Sequence, residues 1–221
     1  MKKLILYLEF ALISIFFIIP PLFTNPVPVI QNSNFSLNWR SAVILIIALL
    51  IYYRHEFTKN QTKDAEKINI FQCFASISTC FGLLMLSNVI LSVISYLILK
   101  QPETQINYQN TTSFSIFSTV INFLVAGFYE EAVYRLYLPA ALRTFTCKIQ
   151  NKYFIYFIEF ICIVIFALGH RYLGWIAVIY AFSAGIILRY FTLKHGTILI
   201  PFICHALYNI LVFTAGFLLA N

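Results

Sequence analysis

The chain has 221 residues, of which 61% are hydrophobic and 10% are charged, and its formal net charge is +7. A soluble domain of this size could not cover so many Phe, Ile and Leu side chains, so the composition excludes a soluble globular protein and indicates an integral membrane protein. A nucleic-acid partner would need a soluble basic face, which the sequence lacks. The predicted partner is therefore the lipid bilayer.

A helix that crosses a bilayer core about 30 Å thick needs roughly 20 apolar residues. Seven apolar segments meet this requirement: residues 4–23, 35–53, 68–99, 114–138, 153–168, 172–191 and 198–220. The predicted fold is all-α, a polytopic membrane bundle of about seven to eight transmembrane helices. No repeat, low-complexity tract or linker divides the chain. We therefore expect one integral membrane domain over residues 1–221.

The first segment resembles a secretory signal because Lys2 and Lys3 precede an apolar run. However, Glu9 interrupts that run, Pro20 and Pro21 end it, and no small-residue cleavage site follows. The sequence therefore favours an uncleaved spanning helix.

The basic residues predict the orientation, because short cytoplasmic loops concentrate Lys and Arg. Seven crossings from a cytoplasmic N-terminus leave only Arg40, Lys100 and Arg171 outside and Arg135 within a helix. All other basic residues then fall on the cytoplasmic side: Lys2, Lys3, Arg54, Lys59, Lys63, Lys67, Arg143, Lys148, Lys152, Arg189 and Lys194. This pattern predicts a cytoplasmic N-terminus and an external C-terminus.

Two adjacent glutamates begin the first of three polar motifs, which lie in otherwise apolar segments. Ionisable residues inside a membrane segment indicate a functional site. Glu131 and Arg135 are four residues apart, in the favourable order for an ion pair on one helix face. Glu130 then points elsewhere, partly desolvated, which suits a general base that takes a proton from water. Gly127, one turn earlier, allows another helix to approach closely.

The second and third motifs repeat the four-residue spacing with histidines. Phe166 shares a helix face with His170, so its ring is expected to wall off one side of the imidazole. Glu159 lies near the same face and is a candidate for the same polar cavity. On the last segment His205 and Asn209 share a face, where an imidazole and an amide can hold water, a metal or a developing oxyanion.

The five cysteines, by contrast, lie in or beside apolar runs without C-x-x-C spacing, and we interpret them as small buried hydrophobes. Cys204 is next to His205, but adjacent helical residues point about 100° apart, which argues against a thiol nucleophile.

The three motifs together resemble those of the CPBP intramembrane protease family. They read Glu130-Glu131-Ala-Val-Tyr-Arg135, Phe166-Ala-Leu-Gly-His170 and His205-Ala-Leu-Tyr-Asn209, in this order on separate segments. The family includes the CAAX prenyl endoproteases and the bacterial Abi or bacteriocin-processing proteins. The resemblance covers about residues 114–221, and we expect residues 113–221 to form the catalytic core and residues 1–112 to supply spanning helices.

The resemblance implies an intramembrane endopeptidase that hydrolyses peptide bonds of a membrane-associated protein or peptide. It gives catalytic roles to Glu130, which activates water, to His170 and His205, and to Asn209, which stabilises the oxyanion. Glu131 and Arg135 support this arrangement, with Phe166 and Glu159 as further supporting candidates. The family is commonly labelled as metalloproteases, so a divalent metal such as zinc is an open prediction, with Glu130, His170 and His205 as candidate ligands. The sequence has no H-E-x-x-H motif to decide for zinc.

Two other functions are open. A catalytically silent family member would use the same polar network as a membrane scaffold or regulator. A proton-coupled transporter would also contain buried Glu and His residues, but the repeated halves typical of such proteins are not found. The catalytic interpretation requires Glu130, His170 and His205 to lie at one depth. Because Gly169 and Gly174 flank His170, a break or reversal of the fifth segment near this residue is one way to reach that depth, and a tilt of the helix is another.

Overall fold

The computed structural model describes residues 2–24, 39–60, 69–99, 113–147, 149 and 151–220. The described chain is helical and contains no β-strand, which confirms the all-α prediction. The α-helices are α1 (Lys2–Ile13), α2 (Ile19–Phe23), α3 (Trp39–Asn60), α4 (Ile70–Leu99), α5 (Ser113–Glu131), α6 (Leu138–Phe145), α7 (Lys152–Leu168), α8 (Trp175–His195) and α9 (Leu199–Ala220). Two π-helical segments, Ser14–Ile18 and Ala132–Tyr137, and a 3₁₀ turn, Arg171–Leu173, connect some of them.

Each predicted apolar segment coincides with helix in the described part of the chain. Among the described residues, five helical stretches are long and apolar enough to cross a membrane: Leu4–Phe23, Ile70–Ile98, Lys152–Leu173, Trp175–His195 and Leu199–Gly216. Their surfaces fit lipid, since large apolar side chains such as Phe71 and Phe74 of α4 point outward. Exposing such side chains to water is unfavourable, whereas contact with the hydrocarbon core of a bilayer is favourable.

Both π-helical segments lie just before prolines. Ser14–Ile18 is followed by Pro20 and Pro21, and Ala132–Tyr137 is followed by Pro139. Proline has no N–H to donate, and its ring clashes with the carbonyl four residues earlier. A wider π-helical turn relieves this conflict without ending the helix. The prolines therefore explain where the helices change register.

The chain divides into two compact units, and each is described by itself. The first unit comprises Met1–Val27 and Leu138–Ile186. Within it α6 packs against α7, and the rings of Tyr7 and Phe10 each lie 4.9 Å from the ring of Phe145. The prediction of a single membrane domain over the whole chain stays a prediction.

The second unit comprises Pro28–Tyr137 and Ile187–Asn221. In this unit α9 packs against α4 and α5, and α3 packs against α5 and the second π-helical segment. Its buried core is formed by Ala48, Phe128, Ala132, Leu136 and Ile198. Gly127 faces the backbone of Ala206, so the expected close approach of a helix at this glycine is present.

Candidate active site

Glu131 is the buried centre of a polar cluster at the end of α5. Its Oε2 lies 3.3 Å from Arg135 Nε, and the two side chains are 0% and 1% exposed. This is the ion pair that the four-residue spacing predicts. Its Oε1 lies 2.9 Å from His205 Nδ1 on α9. Each carboxylate oxygen therefore has a charged or polar partner, as a buried carboxylate requires.

Glu130 meets the same imidazole from its other side. Its Oε2 lies 3.7 Å from His205 Nε2, which is longer than a direct hydrogen bond. Its side chain is 23% exposed, although Oε2 itself is buried, whereas the side chain of Glu131 is fully buried. The phenols of Tyr129 and Tyr134 lie within electrostatic range of it. Adjacent glutamates thus have different environments, as their different helical directions predict.

Arg135 belongs to the π-helical segment Ala132–Tyr137, in which all six side chains are buried. Its backbone carbonyl accepts a hydrogen bond of 2.6 Å from Nη1 of Arg189, a buried residue of α8. The positive-inside pattern places Arg189 among the cytoplasmic orientation charges, outside the predicted site. No sequence pattern pairs Arg189 with Arg135, which lies 54 residues earlier.

Phe166 and His170 lie in the first unit, where they contact each other. Their ring centroids are 4.8 Å apart at an interplanar angle of 67°, and His170 Nδ1 lies 3.0 Å from the Phe166 carbonyl oxygen. The chain breaks here, which is one of the two arrangements expected, because α7 ends at Leu168 and Gly174 adopts a φ of 102° before α8. The place of His170 relative to Glu130 and His205 stays a prediction.

The remaining site candidates have simpler surroundings. Glu159, on α7, forms an ion pair with Arg143 of α6, whose side chain is 44% exposed. Asn209 is partly buried on α9, one turn after His205. The cavity-lining role of Glu159 and the oxyanion role of Asn209 stay predictions from the motifs.

A metal site would need several donor side chains close together. Among the residues that the structure describes, no group of three or more His, Cys, Asp or Glu side chains is arranged to hold a metal ion. In the cluster itself, Glu131 is already bonded to Arg135 and to His205 Nδ1. We therefore derive no step through a metal, and the zinc site suggested by the motifs stays a prediction.

Comparison with known proteins bears on the segment that carries all three motifs. Residues 112–211 match the family model described as type II CAAX prenyl endopeptidase Rce1-like. This match confirms the predicted resemblance to the CAAX protease family over these residues. No curated protein and no solved structure matches the chain.

The CAAX protease family is a family of membrane endopeptidases, which supports a hydrolase in general. Together with the five long apolar helices, the match indicates an integral membrane protein. Proteases of the CAAX type act on membrane-associated proteins, in agreement with a peptide or protein substrate. The matched segment begins just before α5 and ends within α9, so it includes all three polar motifs.

Proposed function

We propose that the chain is an intramembrane endopeptidase in which Glu130 activates the attacking water. The observation that carries this assignment is the contrast between the two glutamates. Glu130 retains 23% exposure beside His205, whereas Glu131 is fully buried between His205 and Arg135. A general base must be accessible to water and substrate, and only the first glutamate of the pair has an exposed part of its side chain.

The cluster supports a simple order of proton transfers. Glu130 takes a proton from water, the hydroxide attacks the scissile carbonyl carbon, and the proton then passes to the leaving amine. His205 Nε2 lies 3.7 Å from Glu130 Oε2, so the proposed water would lie beside it, while Glu131 contacts Nδ1 and so fixes the plane of the ring. Arg135 offsets the charge of Glu131 and leaves Glu130 as the reactive carboxylate.

His170 and Asn209 complete the proposed site in the roles that the family resemblance implies. Asn209 shares the face of α9 with His205, and its amide would donate to the oxyanion of the tetrahedral intermediate. For His170, whose ring packs against Phe166, the family resemblance implies a catalytic role. If a divalent metal takes part, Glu130, His170 and His205 would hold it, and it would polarise the carbonyl and the bound water.

The proposed location is a bacterial inner membrane, with a cytoplasmic N-terminus. The short predicted loops and the Lys- and Ile-rich composition are typical of such a protein. Prenylated CAAX proteins are not expected in bacteria. The proposed substrate is therefore a leader peptide, a signalling peptide or a membrane protein.

The proposal is tested with the full-length protein in lipid nanodiscs and a library of peptides, each synthesised with and without an acyl anchor. Cleavage is followed by mass spectrometry for the parent, for Glu130→Gln and for Glu56→Gln. Glu56 is a matched control because it lies on α3, outside the motifs, and is also partly buried. We expect Glu130→Gln to lose turnover by about 100-fold or more, because a positioned general base contributes that much, and Glu56→Gln to retain it.

Turnover retained by Glu130→Gln would rule out the assigned base. A folded parent that cleaves no peptide of the library would favour the alternative of a silent membrane scaffold. The same assay after removal of divalent ions with a chelator tests the metal, because only a metal-dependent enzyme would lose turnover and regain it with zinc.

A further inference from the structure

The last helix, α9, packs against both α4 and α5 and turns a different face to each of them. Toward α5 it presents His205, whose Nδ1 lies 2.9 Å from Glu131 Oε1. Toward α4 it presents Tyr208, whose hydroxyl oxygen accepts a hydrogen bond of 2.6 Å from Nδ2 of Asn88. Residues three apart on an α-helix are separated by about 60° around its axis. The two bonds therefore hold α9 from two directions.

A second polar contact with α4 lies one turn earlier on the same face of α9. The thiol of Cys204 donates to the carbonyl oxygen of Ile77 at 3.4 Å, and this cysteine is fully buried. Along the chain, Cys204 immediately precedes His205. Tyr208 in turn immediately precedes Asn209. Because the backbone hydrogen bonds make a helix turn as one body, a rotation of α9 that breaks its contacts with α4 also turns these two proposed site residues.

We propose that Asn88 is a positioning residue, which through its hydrogen bond to Tyr208 fixes the rotation of α9 and so the direction of His205. This inference rests on the proposed function. His205 Nε2 lies 3.7 Å from Glu130 Oε2, so a small rotation of the helix changes the space for the proposed water. Asn88 lies outside residues 112–211, the segment that matches the CAAX protease family model. The proposal therefore gives α4, which carries none of the three motifs, a part in catalysis.

A bond that merely joined two helices would affect stability alone, so the variants must separate stability from orientation. Asn88→Leu removes the donor of the bond, and Tyr208→Phe removes its acceptor. The double variant replaces both partners with apolar side chains, which costs less stability than removing one of them. Ser87→Ala is the control, because Ser87 is also partly buried on α4 and bonds locally to the Leu84 carbonyl.

Turnover is measured for the full-length protein in lipid nanodiscs with a peptide that the parent cleaves. We expect Asn88→Leu, Tyr208→Phe and the double variant to lower kcat by roughly threefold to tenfold with little change in KM, because small displacements of a catalytic group are costly. The double variant should regain part of the stability that the single variants lose, but none of their kcat, and Ser87→Ala should change neither. A kcat that recovers together with stability would overturn the inference.

The imidazole of His205 gives an independent signal. The protein is labelled with ¹⁵N-histidine, and the His205 ring resonances are assigned by their loss in His205→Gln. Asn88→Leu should shift these resonances although Asn88 lies on another helix, while Ser87→Ala should leave them in place. Should Asn88→Leu fail to fold, the double variant is expected to fold and its resonances are compared instead. Unshifted His205 resonances in the folded variant would contradict the inference.

The two proposals fail in different ways. A parent without peptidase turnover would end the proposed function, while the His205 resonances would still report whether Asn88 orients α9. An active peptidase whose kcat and His205 resonances do not respond to Asn88→Leu would end only the positioning role.

Discussion

His205 Nδ1 lies 2.9 Å from Glu131 Oε1, so a fully buried carboxylate holds the ring whose other nitrogen faces Glu130. This relationship explains why the motif needs two adjacent glutamates. One carboxylate is used for structure and is paired with Arg135, and the other is left at the solvent-accessible side of the cluster. The 100° between neighbouring helical residues separates the two environments.

The first prediction concerns how the two glutamates differ in stability. Glu131→Gln leaves Arg135 as a buried charge without its carboxylate, and removing one partner of a buried pair costs about 3 kcal/mol. Glu130→Gln changes a partly exposed group and should cost less than about 1 kcal/mol. Unfolding of both variants in detergent, followed by circular dichroism, measures the difference. Equal losses would show that the ion pair does not carry the stability of this site.

Most of the fold was readable from the sequence because its helices are set by local composition. The segment 68–99 was predicted from its apolar length alone, and α4 occupies Ile70–Leu99. A break after Leu168 was one of two arrangements predicted, on the evidence of two glycines, and Gly174 indeed takes a positive φ. The sequence does not predict the two π-helical segments, although it shows the prolines that follow them. A proline more often kinks or ends a helix than widens it.

The sequence predicts only those contacts of the site that join residues close together along the chain. The pair of Glu131 with Arg135 follows from a spacing of four on one helix. The hydrogen bond from Arg189 to the Arg135 carbonyl joins residues 54 apart, and no helical periodicity in the sequence predicts such a contact. From the sequence, Arg189 is interpreted as one of the basic residues that set the orientation of the helices in the membrane, because Lys and Arg in short loops usually do this. In the structure, its side chain instead donates a hydrogen bond to the Arg135 carbonyl.

The second prediction concerns a hydrogen bond between two helices next to the site. Asn88 Nδ2 of α4 donates to Tyr208 Oη of α9 at 2.6 Å. Such bonds inside membrane proteins contribute about 0.6 kcal/mol on average, because the unfolded chain also finds partners. A double-mutant cycle of Asn88→Ala and Tyr208→Phe should give a coupling free energy of about this size.

The matched control for this cycle pairs Tyr208→Phe with Thr79→Val. Thr79 also lies on α4, but its hydroxyl bonds locally to the Ala75 carbonyl. These two changes should be additive. Coupling as large in the control as in the Asn88 cycle would mean that the measured term is not the hydrogen bond.

The third prediction separates backbone strain from packing at two glycines. Gly174 has a φ of 102° and a ψ of 168°, a region that is essentially restricted to glycine, and an added Cβ there meets no atom within 4 Å. Gly174→Ala should therefore destabilise by about 1–3 kcal/mol through the backbone alone. Gly82 lies inside α4 with equally open surroundings, so Gly82→Ala should stabilise by about 0.5–1 kcal/mol. Chemical unfolding of both variants tests the opposite signs. Stabilisation by Gly174→Ala would contradict the positive φ.

The last prediction links a packing contact to the role of His170. An alanine Cβ at Gly185 would lie 3.1 Å from Ile163 Cγ2 and 3.3 Å from Phe166 Cδ1. These contacts are tight, so the Phe166 ring must shift by a few tenths of an ångström. That ring packs against the His170 imidazole. If His170 is catalytic, Gly185→Ala should lower kcat by roughly tenfold, because small displacements of a catalytic group are costly.

Two companion variants show whether the effect passes through this contact. Ile163→Leu removes the Cγ2 methyl and should restore part of the kcat lost in Gly185→Ala, since the alanine then finds room beside Phe166. Gly127→Ala, whose Cβ would lie 3.8 Å from Ala206, is an ordinary van der Waals contact and should leave kcat unchanged. A shifted His170 resonance in ¹⁵N-histidine spectra of Gly185→Ala, together with unchanged kcat, would remove His170 from the proposed catalytic set.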